Sequence, residues 1–126
     1  MRPALVDTNV VIDVLRGNEA ARSCLAGELR GPGLFGSTVT QAEVLAGMRR
    51  GEESRTLDQL DVVRWLAVDQ LIADRAGELA RAHRNRHPGI ELSDYLIAAT
   101  ADLLGLRLLT CNVKHFPMFK RIRPAY

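Results

Sequence analysis

The first apolar run of the chain, Ala4-Leu5-Val6, stops at Asp7-Thr8-Asn9, after which Val10, Val11, Val14 and Leu15 recur at helical spacing as far as Gly17. This predicts a buried strand followed by a helix. Residues 19–30 set Ala20, Ala21, Cys24, Leu25 and Leu29 on one stripe, and Gly31-Pro32-Gly33 then marks a turn, so a second helix ends there. Leu34 to Val39 predicts a second strand; Thr40 opens a helix with Ala42, Leu45, Ala46 and Met48 that fades at Arg49-Arg50-Gly51. From Glu52 to Leu66, Leu57, Leu60, Val62 and Val63 suit an amphipathic helix running into a short strand around Leu66 to Val68. Asp69 opens a long helix striped by Leu71, Ile72, Ala76, Leu79, Ala80 and His83. It stops before Pro88-Gly89, because proline disfavours helical geometry in the residue preceding it. Leu92-Ser93-Asp94 leads into the most apolar helix, Tyr95 to Leu104, closed by Gly105, and Leu106 to Thr110 is a further buried strand.

Strands alternating with helices over short connections imply an α/β fold of three layers, with a mainly parallel sheet of four to five strands between helices. The 126 residues, 47% hydrophobic and 25% charged, suit one domain over 1–126 with a single continuous core. In such sheets ligands bind beyond the carboxyl ends of the strands, often where the strand order reverses. Polar residues directly after apolar strands are therefore where chemistry is expected.

Charge and cysteine usage narrow the choice only locally. A formal charge of +2 identifies no anionic partner, but Lys114, Lys120, Arg121 and Arg123 follow Cys111 with no acid among them, and Arg81, His83, Arg84, Arg86 and His87 form a second basic stretch. Without other evidence the simpler reading of both is a solvated helix face and a charged tail. Cys24 and Cys111 belong to no CxxC or Cys/His spacing, which argues against a disulfide framework or a zinc site. Only three consecutive apolar residues precede Asp7, too few for a signal-peptide core, so a soluble, cytoplasmic protein without a membrane segment is expected.

Three acids stand out by position. Asp7 follows the first strand and reads as the cap of the next helix; Glu43 stands three residues after Thr40 in a capping-box arrangement; Asp94 lies in the first turn of the apolar helix, where the macrodipole favours negative charge. Each alone has a structural explanation. Capping does not require that all three lie at helix starts beside one edge of a sheet, whereas a hard divalent cation needs carboxylate oxygens gathered in this way. An aspartyl-phosphate enzyme would need a second acid where Asn9 stands, and no GxxxxGK[ST] is present for a nucleotide-binding loop.

Four segments resemble, in order, the motifs of the bacterial PIN-domain toxins called VapC. They are Val6-Asp7-Thr8-Asn9-Val10-Val11-Ile12, Ser37-Thr38-Val39-Thr40-Gln41-Ala42-Glu43, Leu92-Ser93-Asp94-Tyr95-Leu96-Ile97-Ala98 and Leu109-Thr110-Cys111-Asn112-Val113-Lys114-His115-Phe116. The resemblance covers nearly the whole chain. It implies a PIN-like fold, hydrolysis of RNA phosphodiesters with Mg (or Mn), and a catalytic set of Asp7, Glu43, Asp94 and Asn112. Asp7, Asp94 and Glu43 would hold the metal, and Thr8 and Thr110 would support them. Many PIN domains have aspartate where Asn112 stands, a neutral amide that coordinates through oxygen but adds no charge. With aromatic residues at 5%, RNA would be gripped through phosphates, and Lys114, Lys120 and Arg121 are the nearest candidates in sequence. The family further implies a homodimer, joined by a solvent-facing apolar helix surface. It also implies a small cognate antitoxin of VapB type that blocks the acidic pocket in a heterotetramer or larger complex. The alternative is a degenerate PIN domain that binds RNA or protein without cutting.

Overall fold

Side chains on a strand alternate between the two faces of a sheet, and here that alternation sorts the core into two halves. In the computed structural model, which describes all 126 residues, β1 (Ala4–Val6) lies between β2 (Leu34–Ser37) and β4 (Arg107–Leu109), and β3 (Arg64–Leu66) pairs with the outer side of β2. All three pairings are parallel, giving the order β3-β2-β1-β4. Ala4, Val6, Leu34 and Leu109 face one layer, packing with α1 (Thr8–Leu15), α2 (Glu19–Arg30), Val44 of α3 (Thr38–Ala46) and Leu60 of α4 (Glu53–Asp61). Leu5 faces the other way, with Phe35, Leu66 and Leu108, into α5 (Gln70–His83) and α6 (Leu92–Leu104). The result is the expected three-layer α/β/α arrangement, with four strands.

The strand order puts the switch point between β1 and β4. The chain builds β1, β2 and β3 outward in one direction and then returns across α5 and α6 to lay β4 on the free side of β1. Asp7 follows β1 and Thr110 follows β4, so both emerge at the carboxyl ends of two neighbouring strands. On the other side of the sheet, Gly36 is required by close approach: opposite Trp65 in register, a Cβ there would stand 2.5 Å from the Trp65 ring.

Several boundaries differ from the sequence expectation for local reasons. The second strand ends at Ser37 rather than Val39, because the Ser37 hydroxyl accepts a bond from the Val39 N–H (3.1 Å) and starts α3 two residues before Thr40. α4 stops at Asp61, and the strand that follows covers Arg64–Leu66 rather than Leu66 to Val68. α6 starts at Leu92, three residues before Tyr95, and Gly105 closes it in the left-handed conformation at φ 65°. No helix is long and apolar enough to cross a membrane.

Candidate active site

The carboxyl ends of β1 and β4 are tied together through Asp7. Its backbone N–H donates to the Leu109 carbonyl (2.8 Å), one carboxylate oxygen accepts from the Thr8 N–H (2.8 Å), and the other accepts from the Thr110 hydroxyl (2.7 Å). Asp7 does cap α1, as its position predicted, but it is also held from the neighbouring strand. Thr110 is fully buried, and its oxygen in turn accepts from the Asn112 N–H (3.0 Å), so one hydroxyl sets the direction of Asp7 and the start of the loop carrying Asn112. The segment beyond the loop returns to this point, where Ala125 N–H donates to the Thr110 carbonyl (2.9 Å) and the Tyr126 hydroxyl bonds Asp13 of α1.

Glu43 reaches the same place by a different route from the one expected. Because α3 begins at Thr38, Glu43 lies past its first turn and caps nothing; the proposed capping box with Thr40 does not form. Instead, the Thr8 hydroxyl donates its single proton to Glu43 (2.7 Å) and, at 2.9 Å, receives that of Thr40. The relay Thr40 to Thr8 to Glu43 fixes a carboxylate that a helix terminus would otherwise have consumed.

Asp94 is the third residue of α6, where its carboxylate accepts from the Glu91 N–H (3.1 Å) as sequence position suggested. The same oxygen lies 3.3 Å from Nδ1 of His115. His115 escaped the sequence reading, which looked for acids. The available signal was its spacing: three residues after Asn112, a single 3₁₀ turn over Val113–His115 returns it to the same side. Phe116, fully buried in the second core half, anchors that turn, and emptying its site would cost about 3–5 kcal/mol.

Asp7, Thr8, Glu43, Asp94, Asn112 and His115 line one cleft of about 330 Å³, together with Asn9, Ser93 and Glu91. Thr110 sits behind it. Lys114 is on the neighbouring turn, exposed and outside the lining; Lys120 and Arg121 line a separate groove along the free edge of β4 and do not border the acids. After Phe116 the chain turns away from the cleft, so closeness in sequence to Asn112 is not closeness in space.

Electrostatics distinguish this cleft from a set of caps. Burial pushes the Asp7 carboxyl above its usual range, against the lowering effect of its bonds from Thr110 and Thr8, and the charges of Asp94 and Glu43 push it further. Burial likewise raises Asp94, opposed by the Glu91 N–H and by His115. Gathering acids in this way is unfavourable until a cation arrives. The donors are carboxylate and amide oxygens, the kind a hard divalent ion prefers. As the side chains stand, no three or more His, Cys, Asp or Glu groups are gathered closely enough to hold an ion by themselves.

The PIN domain profile matches residues 4–122. Ribonuclease VapC10 of Mycobacterium tuberculosis is 43% identical over 122 residues, spanning 97% of this chain and 92% of its own length. Ribonuclease VapC19 of the same organism is 42% identical over 123 residues, spanning 97% and 98%. Among solved structures, a toxin–antitoxin complex from Klebsiella pneumoniae superposes with a TM-score of 0.83 at 31% identity, covering 98% of each chain. The chain belongs to the PIN-domain family and, within it, to the VapC ribonucleases.

Proposed function

We propose that this chain is the toxin of a toxin–antitoxin pair, an endoribonuclease that hydrolyses RNA phosphodiesters with Mg, or Mn in its place, held at the acidic cleft. The observation that carries the reading is the convergence of Asp7, Glu43, Asp94 and Asn112 on one cleft at the switch point of the sheet, with Asp7 buried among like charges. Asp7 and Asp94 are the residues that would hold the ion, with Glu43 beside them. When bound, such an ion supplies charge neutralisation, Lewis-acid polarisation of a phosphodiester and activation of water.

The protein's own groups do the remaining work. Thr110 keeps Asp7 turned toward the cleft, and His115 and the Glu91 N–H hold Asp94. Glu43, oriented by Thr8, is placed to accept a proton from an attacking water. Asn112 offers an amide to orient a substrate oxygen without adding charge. An antitoxin of VapB type is the partner that the toxin–antitoxin complex from Klebsiella suggests. A homodimer is part of the same proposal, and Leu71 of α5 and Leu92 of α6 are exposed, at 70% and 64%.

Antitoxin-free protein incubated with a mixed RNA should cut it with Mg or Mn, stop cutting in EDTA, and lose the activity in Asp94→Asn. Cleavage that persists in EDTA would overturn the reading. RNA binding without cleavage under any divalent ion would assign the chain to the non-cutting PIN domains.

A further inference from the structure

A strand of RNA seated at the acidic cleft has neighbouring phosphates that the cleft itself repels, since Asp7, Glu43, Glu91 and Asp94 line it against one histidine. Those phosphates need a cationic surface within reach of the cleft. Ile12 of α1 forms a wall of the cleft and also of a small depression of about 70 Å³ lined by Leu15, Val44, Met48 and Glu52. That depression shares Leu15, Arg16 and Glu52 with a groove of about 470 Å³ between the end of α1 and α4. The groove is lined by Arg16, Arg22, Arg49 and Arg55 against one acid, Glu52. Arg16 lies nine residues after Asp7, about 13 Å along α1.

The arginines are arranged rather than scattered. Glu52, only 13% exposed, accepts from Arg16 (2.6 Å), from Arg55 (3.4 Å) and from the backbone N–H of Arg49 (2.7 Å). One carboxylate thereby holds two guanidinium groups and the backbone of a third arginine while neutralising a single charge, leaving the lining at a formal +3. The Arg49 guanidinium is left free, Arg55 is 68% exposed, and the only partner of Arg22 is Glu19 at 3.5 Å, itself 82% exposed. Planar guanidinium forks match phosphate oxygens, and few aromatic side chains are available for base stacking. Neither basic groove shares a lining residue with the acidic cleft, but the arginine groove is joined to it through the Ile12 depression, whereas the groove beside β4 shares no residue with that depression either.

Building on the ribonuclease reading, we infer that the α1–α4 arginine groove is the track for the RNA backbone leading to or from the scissile phosphate. Arg22, Arg49 and Arg55 contact phosphates, and Glu52 holds Arg55 and the backbone of Arg49 in place. The groove reads charge, not base identity, so it acts on affinity for longer RNA and leaves the chemical step alone.

The test uses a labelled single-stranded oligoribonucleotide of mixed sequence, bound in EDTA so that nothing is cut, with salt varied from about 50 to about 200 mM. Loss of three phosphate contacts in Arg22→Gln/Arg49→Gln/Arg55→Gln should lower the log K against log salt slope by about 2, at roughly 0.7 per contact. Lys120→Gln/Arg121→Gln/Arg123→Gln should leave it unchanged. With Mg present, the first variant should raise KM for long RNA while keeping kcat, and should cut a dinucleotide like the parent. Unchanged slope in the groove variant, or loss only in the β4-edge variant, overturns the proposal. So does a groove variant that binds RNA normally but escapes inhibition by a co-expressed antitoxin, which would make the groove a protein-docking surface. If the parent protein cuts no RNA at all, the ribonuclease reading fails on that result alone, while the salt slopes still decide the groove.

Discussion

The acidic cleft and the groove along the free edge of β4 look mismatched in importance. The edge groove is about twice as large, 650 against 330 Å³, and carries Arg2, Arg107, Lys120, Arg121 and Arg123 against Asp102. By volume and charge it would be chosen as the nucleic-acid site. The cleft has what the groove lacks: a buried carboxylate, Asp7, held from the neighbouring strand where strand order reverses, with the half-buried Glu43 and Asp94 beside it. In the edge groove Arg107 is already engaged, bonding Glu28 and the Arg2 carbonyl (2.8 Å), and so serves the sheet edge. Cavity size and net charge describe a surface. Strand ends determine where groups can be aimed.

The strongest way to break this contrast is to exchange the effects of the two regions. Asp94→Asn should reduce RNA cleavage on the order of a thousandfold, because it removes part of the several kcal/mol of transition-state charge stabilisation that a held ion supplies. Lys120→Gln/Arg121→Gln should stay within about twofold. A gel assay on both variants decides it, and equal losses would mean that the edge groove belongs to the site.

Support behind the cleft should matter less than the acids but still measurably. Thr110→Val keeps the shape and deletes both the bond to Asp7 and the acceptor for the Asn112 N–H, so metal affinity or activity should fall about 10–100-fold, as for other groups that orient a metal-holding side chain. Thr110→Ser should restore most of it. Isothermal titration with Mn reads the affinity directly, and a valine variant that binds metal normally would show that burial alone directs Asp7.

The cleft should also be a site of weakness in the metal-free protein. Asp7 and Asp94 have folded-state pKa values raised first of all by burial, so between the ordinary carboxylate range, about pH 4, and those higher values the folded chain holds more protons than the unfolded one. Their contribution to stability is therefore present at low pH and is lost as pH rises through the folded values. In EDTA, Asp7→Asn should melt a few degrees above the parent near neutral pH, with the gap closing on acidification. Mg should raise the melting temperature of the parent and not of the variant. A variant that melts lower at pH 7 would mean that the bonds from Thr8 and Thr110 outweigh the repulsion.

Much of this was legible in the sequence, and the misses share a cause. Asp7 and Asp94 were readable because strand ends and first helical turns are local features of pattern. Glu43 was identified for the wrong local reason: the cap is Ser37, and what holds Glu43 is Thr8, thirty-five residues away in sequence. His115 was passed over because its partner Asp94 lies on another element. Lys120 and Arg121 were placed by sequence distance, which says nothing of the turn the chain makes after Phe116. Periodicity gives the elements and their order, while the contacts between elements depend on how those elements pack.

The smallest expected effect lies at the edge of β4, where the contrast can be sharpened from the other side. Arg107 and Glu28 are mostly shielded, at 26% and 16% side-chain exposure, but both still reach solvent, which screens the pair in part. Glu28→Gln keeps the shape and a hydrogen-bond acceptor for Arg107, so unfolding by urea should register a loss of about 1 kcal/mol or less. Cleavage should be unchanged, since neither residue borders the acids. If the variant keeps its stability but loses activity, the edge of β4 is coupled to Asp7 through the strand pairing itself, because Asp7 N–H bonds the last residue of that strand. The separation between a chemical cleft and a structural edge would then fail at the strand pairing that joins them.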